Sequence, residues 1–411
     1  MPRTGISMPA QPHLGGGRAW WIWAIVVVFV LYLFNVQTMF SVVQGDIQKT
    51  LTLTTQQLTI IAGVYTWAFA IFQFFGGAFL DSFGAKKVLI PAFILVTAGV
   101  FLYGMAESYA VVILAQLVMA LGACVGFVGA GYIGGQWFGL LAYGTMFGYV
   151  ETASSLSSAI QQPITNWVLS HTTYQEMFIY LGFFGILLCV LAILFVRGPK
   201  KVVNQGNPFH TVFADLWKIV KIPQIWIAAL WGGIAFGLQL AIGVVWAPQM
   251  IEHAGFSSEA GNIGSALCWA GLGVGSLFWP RWSQAVRNRR TPSFVGMVIV
   301  AIALILVVYV HMPLWLTLIM MFLIGLGATA EMISFMIGSD VAGGPLTGTS
   351  AAFVNAFMFI IGGILMNIPS SLAAHGNKVM YLPFILVAVL AIILILIQKE
   401  TALKTAPANN A

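Results

Sequence analysis

Long runs of apolar residues, separated by short polar interruptions, follow one another along almost the whole chain. Twelve such runs can be counted, each close to the roughly 20 residues that an α-helix needs to cross a bilayer. They cover approximately residues 19–43, 56–80, 88–106, 110–137, 140–165, 175–196, 223–249, 260–282, 293–311, 313–338, 346–372 and 378–397. The short alternating segments typical of a membrane β-barrel are absent from the sequence. The pattern therefore predicts an all-α integral membrane protein with twelve transmembrane helices.

The longest polar interruption, residues 197–222, follows the sixth apolar run. It predicts a cytoplasmic linker in which residues 209–220 form an amphipathic helix on the membrane surface. The chain then divides into a tail over 1–18, a six-helix half over 19–196, the linker over 197–222, a second six-helix half over 223–398 and a tail over 399–411. Six helices on each side of a linker suggest two pseudo-symmetric halves.

Composition and charge agree with this organisation. The 411 residues are 60% hydrophobic and only 7% charged, whereas a soluble domain carries about 25% charged residues. With both termini in the cytoplasm, all of the 17 lysines and arginines except Lys49 and Lys378 fall on the inner side, as the positive-inside rule requires. The net charge of +6 therefore reflects membrane topology. Basic residues scattered among short loops do not indicate nucleic-acid binding.

No pattern in the sequence indicates a cofactor, a metal or a catalytic centre. Cys124, Cys189 and Cys268 lie within apolar runs, where packed thiols are expected, and no Cys/His zinc spacing or P-loop is present. We therefore expect no cofactor, no metal, no enzymatic activity and no ATP-driven pumping.

A short charged turn lies between the second and third apolar runs. It has the form G-x-x-x-D-x-x-G-x-K-K, with Gly77, Asp81, Gly84, Lys86 and Lys87 at the defined positions. The two lysines place the turn in the cytoplasm, and the glycines permit a tight turn and close helix approach. This spacing, at this place in the chain, resembles the signature between helices two and three of the major facilitator superfamily of secondary transporters.

The two halves also share short sequence matches. Residues 144–152, which open the fifth run, match residues 348–356, which open the eleventh, so that Glu151 corresponds to Asn355. Residues 282–290 form a weaker copy of the charged turn, in which Gln284 stands in place of the acid. With these matches the resemblance to the major facilitator superfamily covers almost the whole chain. Within it, the chain is most similar to the bacterial group of intraphagosomal amino-acid and siderophore transporters, on residues 127–130, 137–138 and 223–226.

Two departures from the family pattern bear on function. Many members carry an arginine in helix four that assists proton coupling, and the fourth run here contains none. The Gly-Pro motif that drug/proton antiporters carry in helix five is also missing between Tyr149 and Ser158. A multidrug antiporter is therefore disfavoured.

Of the eleven acidic residues, only Glu151 and Glu331 are predicted within the bilayer. A carboxylate there costs on the order of 3 kcal/mol, and burial favours its neutral form, which can exchange protons. Glu151 lies about 17 Å into the fifth run at 1.5 Å per residue, followed by many Ser, Thr and Gln residues. It can line a transport cavity or be a protonated packing residue. Glu331, about two turns from the inner end of the tenth run, can couple protons, contact Arg281 in a gate, or lie among headgroups.

Further polar residues in the apolar runs are candidates for substrate contact or for packing between helices. The resemblance implies that helices one, four, seven and ten line the path, with two, five, eight and eleven beside it. The candidates besides the two acids and Asn355 are Asn35, Gln37, Tyr65, Gln73, Gln116, Gln239 and Trp269.

The resemblance also implies a role for the charged turn. It places Asp81 beside the inner start of the eleventh helix, near Thr347 and Gly348. A carboxylate is favourable at a helix N-terminus and would join the two halves on the inner side in the outward-open state. The gating set is then Gly77, Asp81, Gly84, Lys86, Lys87 and Arg281, and the alternative for Asp81 is a simple topology anchor.

The sequence thus favours a monomeric, multi-pass secondary active transporter of the bacterial inner membrane that works by alternating access. A small polar or zwitterionic organic solute moving with protons fits the expected cavity best. One alternative is an exporter of organic cations or siderophores, with Glu151 as counter-charge. The other is a non-transporting receptor or assembly factor on the same fold, since fold does not fix function.

Overall fold

The computed structural model describes residues 15–139, 142–198 and 208–402. Its regular structure is helical throughout that part of the chain. The α-helices are α1 (Gly17–Thr50), α2 (Thr55–Phe83), α3 (Ala85–Gly104), α4 (Tyr109–Ala123), α5 (Gly126–Phe138), α6 (Tyr143–Leu169), α7 (Tyr174–Phe195), α8 (Pro208–Val220), α9 (Pro223–Ala241), α10 (Ala247–His253), α11 (Ser258–Val286), α12 (Arg290–Tyr309), α13 (Leu314–Ala328), α14 (Met332–Ala342), α15 (Thr347–Leu372) and α16 (Asn377–Ile397).

These helices make twelve membrane crossings, so the predicted fold class is confirmed. Among the described residues, eleven spans are long and apolar enough to cross a bilayer by length and composition. The remaining crossing is α6, which is long enough at 27 residues. Its apolar character is diluted by Glu151 and the hydroxyl and amide residues that follow it. Such a helix needs polar neighbours inside the protein, because lipid offers none.

Three crossings are interrupted rather than continuous. The fourth is divided between α4 and α5 around Cys124 and Val125. The seventh passes from α9 through a π-helical turn at Ile242–Trp246 into α10. The tenth passes from α13 through a 3₁₀ turn at Thr329–Glu331 into α14. Breaks of this kind inside a membrane helix commonly mark functional positions.

Two hydrophobic cores hold the helices together. One is built mainly from α1 to α7 and extends into α9, α14 and α15, while the other is built from α9 onwards. The main contacts between the first seven helices and the rest are α2 with α15 and α6 with α11. Both contacts depend on glycine: a Cβ on Gly77 would overlap the Gly348 carbonyl oxygen, and one on Gly148 would overlap that of Ser276.

The predicted surface helix in the linker is present as α8, which packs against α2, α9 and α15. Its Val212, Asp215 and Ile219 face the bundle and are buried, whereas Phe213 and Trp217 are exposed. The predicted domain boundaries remain predictions. Residues 1–14, 199–207 and 403–411, which include most of both predicted tails and part of the linker, lie outside the described residues.

Candidate functional site

Three of the predicted site residues meet at the centre of the molecule. Glu151 on α6, Glu331 in the 3₁₀ turn before α14, and Asn355 on α15 line one small cavity of about 20 Å³. All three side chains are buried. The first half of the chain therefore contributes one carboxyl group, and the second half contributes the other together with the amide.

The carboxyl groups lack the partners that buried polar groups normally have. Among the described residues, the Oε1 atom of Glu151, both side-chain oxygens of Glu331 and the Nδ2 atom of Asn355 form no hydrogen bond. The two carboxyl groups line the same cavity. A buried carboxylate without a partner is unstable by several kcal/mol, so this site needs a compensating proton or cation.

The position of Glu331 corrects the sequence-based prediction. The tenth crossing continues to Ala342 rather than ending near residue 338, so 11 residues of α14 follow Glu331 before the inner end. That is about 16 Å at 1.5 Å per residue, which puts Glu331 near mid-membrane and away from the headgroups. Its side-chain oxygens have no hydrogen bond to Arg281 or to any other described residue.

Aromatic rings surround the carboxyl pair. The small cavity is lined by Phe34, Phe69, Phe127, Phe236, Phe335 and Phe359. Phe34, Phe236 and Phe359 also line a second, larger cavity. These three rings therefore lie between the two cavities. The sequence does not single out these phenylalanines, because within apolar runs they cannot be distinguished from packing or lipid-facing residues.

The larger cavity has a volume of about 690 Å³ and lies in the outer half of the molecule. Its polar lining consists of amides, hydroxyls and one indole: Gln37, Thr38, Tyr65, Thr66, Tyr103, Gln116, Ser158, Asn262, Ser265 and Trp269. Of the predicted candidates, Gln37, Tyr65, Gln116 and Trp269 are in this wall. Among the described residues, no Lys, Arg, His, Asp or Glu lines it. The cavity thus suits a polar ligand that is read by hydrogen bonds.

Three other candidates lie outside both cavities. Asn35 forms two hydrogen bonds with Ser157 of α6, at 2.8 and 3.1 Å. Gln239 pairs with Cys268: its Nε2 donates to the Cys268 carbonyl and its Oε1 accepts from the thiol, both at 3.2 Å. Asn35 and Gln239 therefore join neighbouring helices. Gln73 is fully buried, and its amide atoms form no hydrogen bond within the described residues.

The π-helical turn shapes the wall of the larger cavity. Its Gly243 carbonyl, released from regular helical bonding, accepts hydrogen bonds from the Ser265 hydroxyl and, at 3.1 Å, from the Trp269 indole nitrogen. Gly243, Ser265 and Trp269 all line the cavity. The backbone distortion therefore fixes the orientation of the indole in the wall.

On the inner side, Asp81 joins the two halves. Its Oδ1 accepts a hydrogen bond from the Gly348 N–H at 3.1 Å. Its Oδ2 accepts from both the N–H and the hydroxyl of Thr349, each at 2.7 Å. Gly348 and Thr349 open α15, so the carboxylate lies at a helix N-terminus, where negative charge is favourable.

A second contact between the halves involves Arg281. Its guanidinium donates to the Tyr149 hydroxyl at 2.7 Å and lies 5.1 Å from the centre of the same ring. Tyr149 lies on α6 and Arg281 on α11, so this contact joins the same two helices as the close approach at Gly148. Lys86 and Lys87 are exposed at the start of α3, and Gly84 turns the chain there with φ of 77°.

The second half has an inner network that the sequence analysis missed. Arg289 is buried and pairs with Asp340 at 2.9 Å, while its NH1 group donates to Ser283 and Gln284. The carboxylate of Glu400 accepts from the backbone N–H groups of Arg289 and Arg290. These residues lie far apart in sequence, so their pairing could not be read from spacing. No group of three or more His, Cys, Asp or Glu side chains suited to a metal occurs in the described ranges.

Comparisons with known proteins agree with this architecture. The family model described as Major Facilitator Superfamily matches residues 24–367. In the solved structure of the human organic anion transporter MFSD10 (TETRAN), the fold is similar with a TM-score of 0.69. That similarity covers 93% of this chain and all of the other at 12% identity. It concerns the fold alone.

Two curated relatives are each 22% identical to this chain over their matched residues. The probable galactarate/D-glucarate transporter GudP of Escherichia coli is 22% identical over 380 residues, which cover 83% of this chain and 84% of the relative. The probable sulfoacetate transporter SauU of Cupriavidus necator is 22% identical over 251 residues, or 56% of each chain. These relatives do not support the predicted similarity to intraphagosomal amino-acid and siderophore transporters.

Proposed function

The chain belongs to the Major Facilitator Superfamily, and we propose that it is a secondary active transporter that moves a small polar or zwitterionic organic solute with protons. It acts as a monomer in the bacterial plasma membrane by alternating access. The observation that carries the proposal is the carboxyl pair Glu151 and Glu331, which comes from both halves and lines one buried cavity.

The carboxyl pair is suited to proton coupling. Two carboxylates that face each other in a medium of low dielectric constant cannot both be ionised at low cost. A proton taken up from the outer cavity therefore stabilises the pair, and separation of the halves on the inner side lets water reach it again. The proton then leaves towards the cytoplasm, which makes the pair the coupling site in this proposal.

The larger cavity is the proposed solute site. Its volume of about 690 Å³ falls in the range of pockets that hold small organic molecules. It lies in the outer half, while Asp81 and Arg281 tie the halves together on the inner side. The structure therefore supports an assignment to an outward-facing state, and the phenylalanines between the cavities separate the solute from the carboxyl pair.

The lining favours a neutral or zwitterionic solute. GudP and SauU are named as probable transporters of galactarate/D-glucarate and of sulfoacetate, and anions are normally bound by arginine or lysine. Among the described residues, the cavity wall contains neither, and Arg281 is engaged with Tyr149. Amides, hydroxyls and an indole instead fit a polyhydroxylated or amino-acid-like solute.

An organic cation is the second candidate substrate, because one observation favours it. The carboxyl pair is surrounded by six phenylalanines, and a ring face next to a carboxylate attracts a cationic nitrogen. In that case the protein works as an exporter in which cation and proton compete for the same carboxyl groups.

Uptake into proteoliposomes tests the proposal. The purified protein is reconstituted and challenged with labelled sugars, polyols, amino acids, sugar acids and organic cations, with and without an imposed pH gradient. Gradient-driven accumulation of a neutral or zwitterionic solute is expected. Accumulation of sugar acids or exchange of cations would replace the substrate assignment, and no flux of any compound would favour a non-transporting receptor or assembly factor.

A further inference from the structure

The surface helix α8 carries an exposed stripe that the proposed transport mechanism does not use. Phe213 and Trp217 are four residues apart and lie on one face of α8, and Lys221 directly follows Val220, the last residue of the helix. Phe213 is 62% exposed and Trp217 60% exposed. The ammonium group of Lys221 lies 5.0 Å from the centre of the Trp217 ring, and the neighbouring Lys218 side chain is 62% exposed.

We propose that this face of α8 binds the headgroups of anionic phospholipids on the cytoplasmic side and that this binding stabilises the inner-closed state. Aromatic side chains with adjacent lysines are the pattern of helices that lie in the membrane interface. Basic residues near the cytoplasmic leaflet are attracted to its anionic lipids. The positive-inside distribution puts α8 at that leaflet.

Among the described residues, Lys218 has one acidic partner and keeps 62% of its side chain exposed, and no ion pair involves Lys221. Asp215 accepts a hydrogen bond from Lys218 at 2.7 Å, but its carboxylate points into the buried face of the helix. The chain segments at 199–207 and 403–411 contain Lys200, Lys201 and Lys404 and no acidic residue. These two segments therefore add positive charge, which an anionic headgroup can offset.

Contacts along α8 and at its end connect the stripe to the helices that meet on the inner side. Phe213 also touches Phe75 of α2, with ring centres 5.9 Å apart. At the other end, Trp226 of α9 donates to the Val220 carbonyl at 2.8 Å and packs on Phe353 of α15. The helix therefore bridges α2 and α15, the same two helices that Asp81 joins.

This bridging gives the lipid its effect on conformation. If α2 and α15 separate when the inner side opens, α8 cannot keep its contacts with both. A lipid that holds α8 in its present position therefore favours the closed arrangement. This conformational part rests on the proposed alternating access, while the lipid site itself does not.

Two measurements on the full-length protein test the lipid site and its effect on conformation separately. Native mass spectrometry counts the phosphatidylglycerol or phosphatidylcholine molecules retained by the parent and by the double variant K218Q/K221Q. Spin labels on cysteines at Arg197 and Ala285, which are exposed at the inner ends of α7 and α11, report inner closure by their distance. For this purpose Cys124, Cys189 and Cys268 are replaced by alanine.

The parent should retain phosphatidylglycerol in preference, and 30 mol% of this lipid in phosphatidylcholine bilayers should raise the ratio of short to long label distances by about fivefold. K218Q/K221Q should lose both effects, W217A should weaken both, and the outer-side control K378Q should keep both. Equal lipid retention by the parent and K218Q/K221Q would overturn the site.

Loss of retention with an unchanged distance ratio would overturn only its conformational role. A single distance population in every lipid would instead count against alternating access, and so against the proposed function. Soluble glycerol phosphate should change nothing, and a shift produced by it would assign the lysines to a free anion rather than to the membrane.

Discussion

The carboxylate of Asp81 accepts three hydrogen bonds from the first turn of α15, two of them from Thr349, and so connects the two halves of the protein. One carboxylate oxygen accepts both the backbone N–H and the hydroxyl of Thr349 at 2.7 Å, and the other accepts the N–H of Gly348. The acceptor is in the first half of the chain and the donors are in the second. Any movement that separates α2 from the start of α15 must therefore break this contact.

Asp81→Asn should shift the resting population towards the inward-open state. The amide keeps the shape of the carboxylate but loses its charge, which a helix N-terminus stabilises by up to about 1–2 kcal/mol. The ratio of closed to open molecules, measured with the labels at Arg197 and Ala285, should fall by about 5- to 30-fold. Asp46→Asn, an exposed change near the outer end of α1, is the control. An unaltered distance distribution together with an unaltered transport rate would disprove the latch.

Gly77→Ala should open the inner side for a steric reason. A Cβ at Gly77 would overlap the carbonyl oxygen of Gly348, and because that atom is backbone, only separation of α2 from α15 relieves the overlap. Gly63→Ala on the same helix is the matched control, since its nearest neighbour would be 3.8 Å away in Trp67. The labels should report long distances for Gly77→Ala only. Equal distances in the two variants would show that α2 and α15 can adjust locally.

Glu400→Gln should lower the stability of the folded protein in a pH-dependent way. Burial acts to raise the pKa of Glu400, but backbone N–H donors from Ala402, Arg289, Arg290 and Thr401 outweigh it and hold the pKa below its ordinary value. A depressed pKa in the folded state contributes stability above the unfolded value of about 4.3, and this contribution is lost as the pH falls further.

The expected loss for Glu400→Gln at pH 7 is about 0.3–1 kcal/mol, since Glu400 caps the start of α12. Thermal unfolding midpoints in detergent at pH 7 and near pH 3.5 measure it, with the exposed Glu107→Gln as control. The unfolding midpoint of the parent should be higher than that of the variant at pH 7, and the two midpoints should converge at the lower pH. A difference between the two midpoints that stays constant with pH would show that the charge of Glu400 contributes nothing to stability.

The apolar runs predicted the fold, and the resemblance to the family implied that Asp81 lies beside the start of α15 near Thr347 and Gly348, where the structure has it bonded to Gly348 and Thr349. Twelve apolar runs and a charged turn of fixed spacing are compatible with few arrangements of membrane helices. The depth of Glu331 was predicted wrongly, because hydropathy ended the tenth crossing before Asp340. In the structure, Arg289 neutralises that carboxylate at 2.9 Å, and α14 continues beyond it to Ala342.

Single amides were the least predictable part of the candidate site. Asn35 and Gln239 carry the same chemical group as Gln37 and Gln116, yet the first two bond to Ser157 and Cys268 and the last two line the larger cavity. An amide in an apolar helix can bond to another helix or face a cavity at similar cost. Only the rotation of each helix, which depends on its packing, decides between them.

Glu151→Gln and Glu331→Gln together test the proposed coupling site. Glutamine keeps the volume of the side chain and its capacity for hydrogen bonds but cannot release a proton. If Glu151 carries the proton, Glu151→Gln should still bind and exchange the solute found in the uptake panel, and its accumulation should fall to the level reached without a pH gradient. The same measurements on Glu331→Gln show whether the second half carries the proton instead.

The combination of results is more informative than either variant alone. Glu151 and Glu331 line the same cavity, so the two variants are compared in the same assay. If the pair shares one proton, each single variant should lose gradient-driven accumulation and keep exchange. If only one residue titrates in the cycle, the variant of the other residue should accumulate solute like the parent, with Glu107→Gln as control.

Two other results would contradict the assignment. Loss of solute binding in both Glu151→Gln and Glu331→Gln would identify the pair as the counter-charge of a cationic substrate. Intact accumulation in both variants would show that the pair has no role in transport.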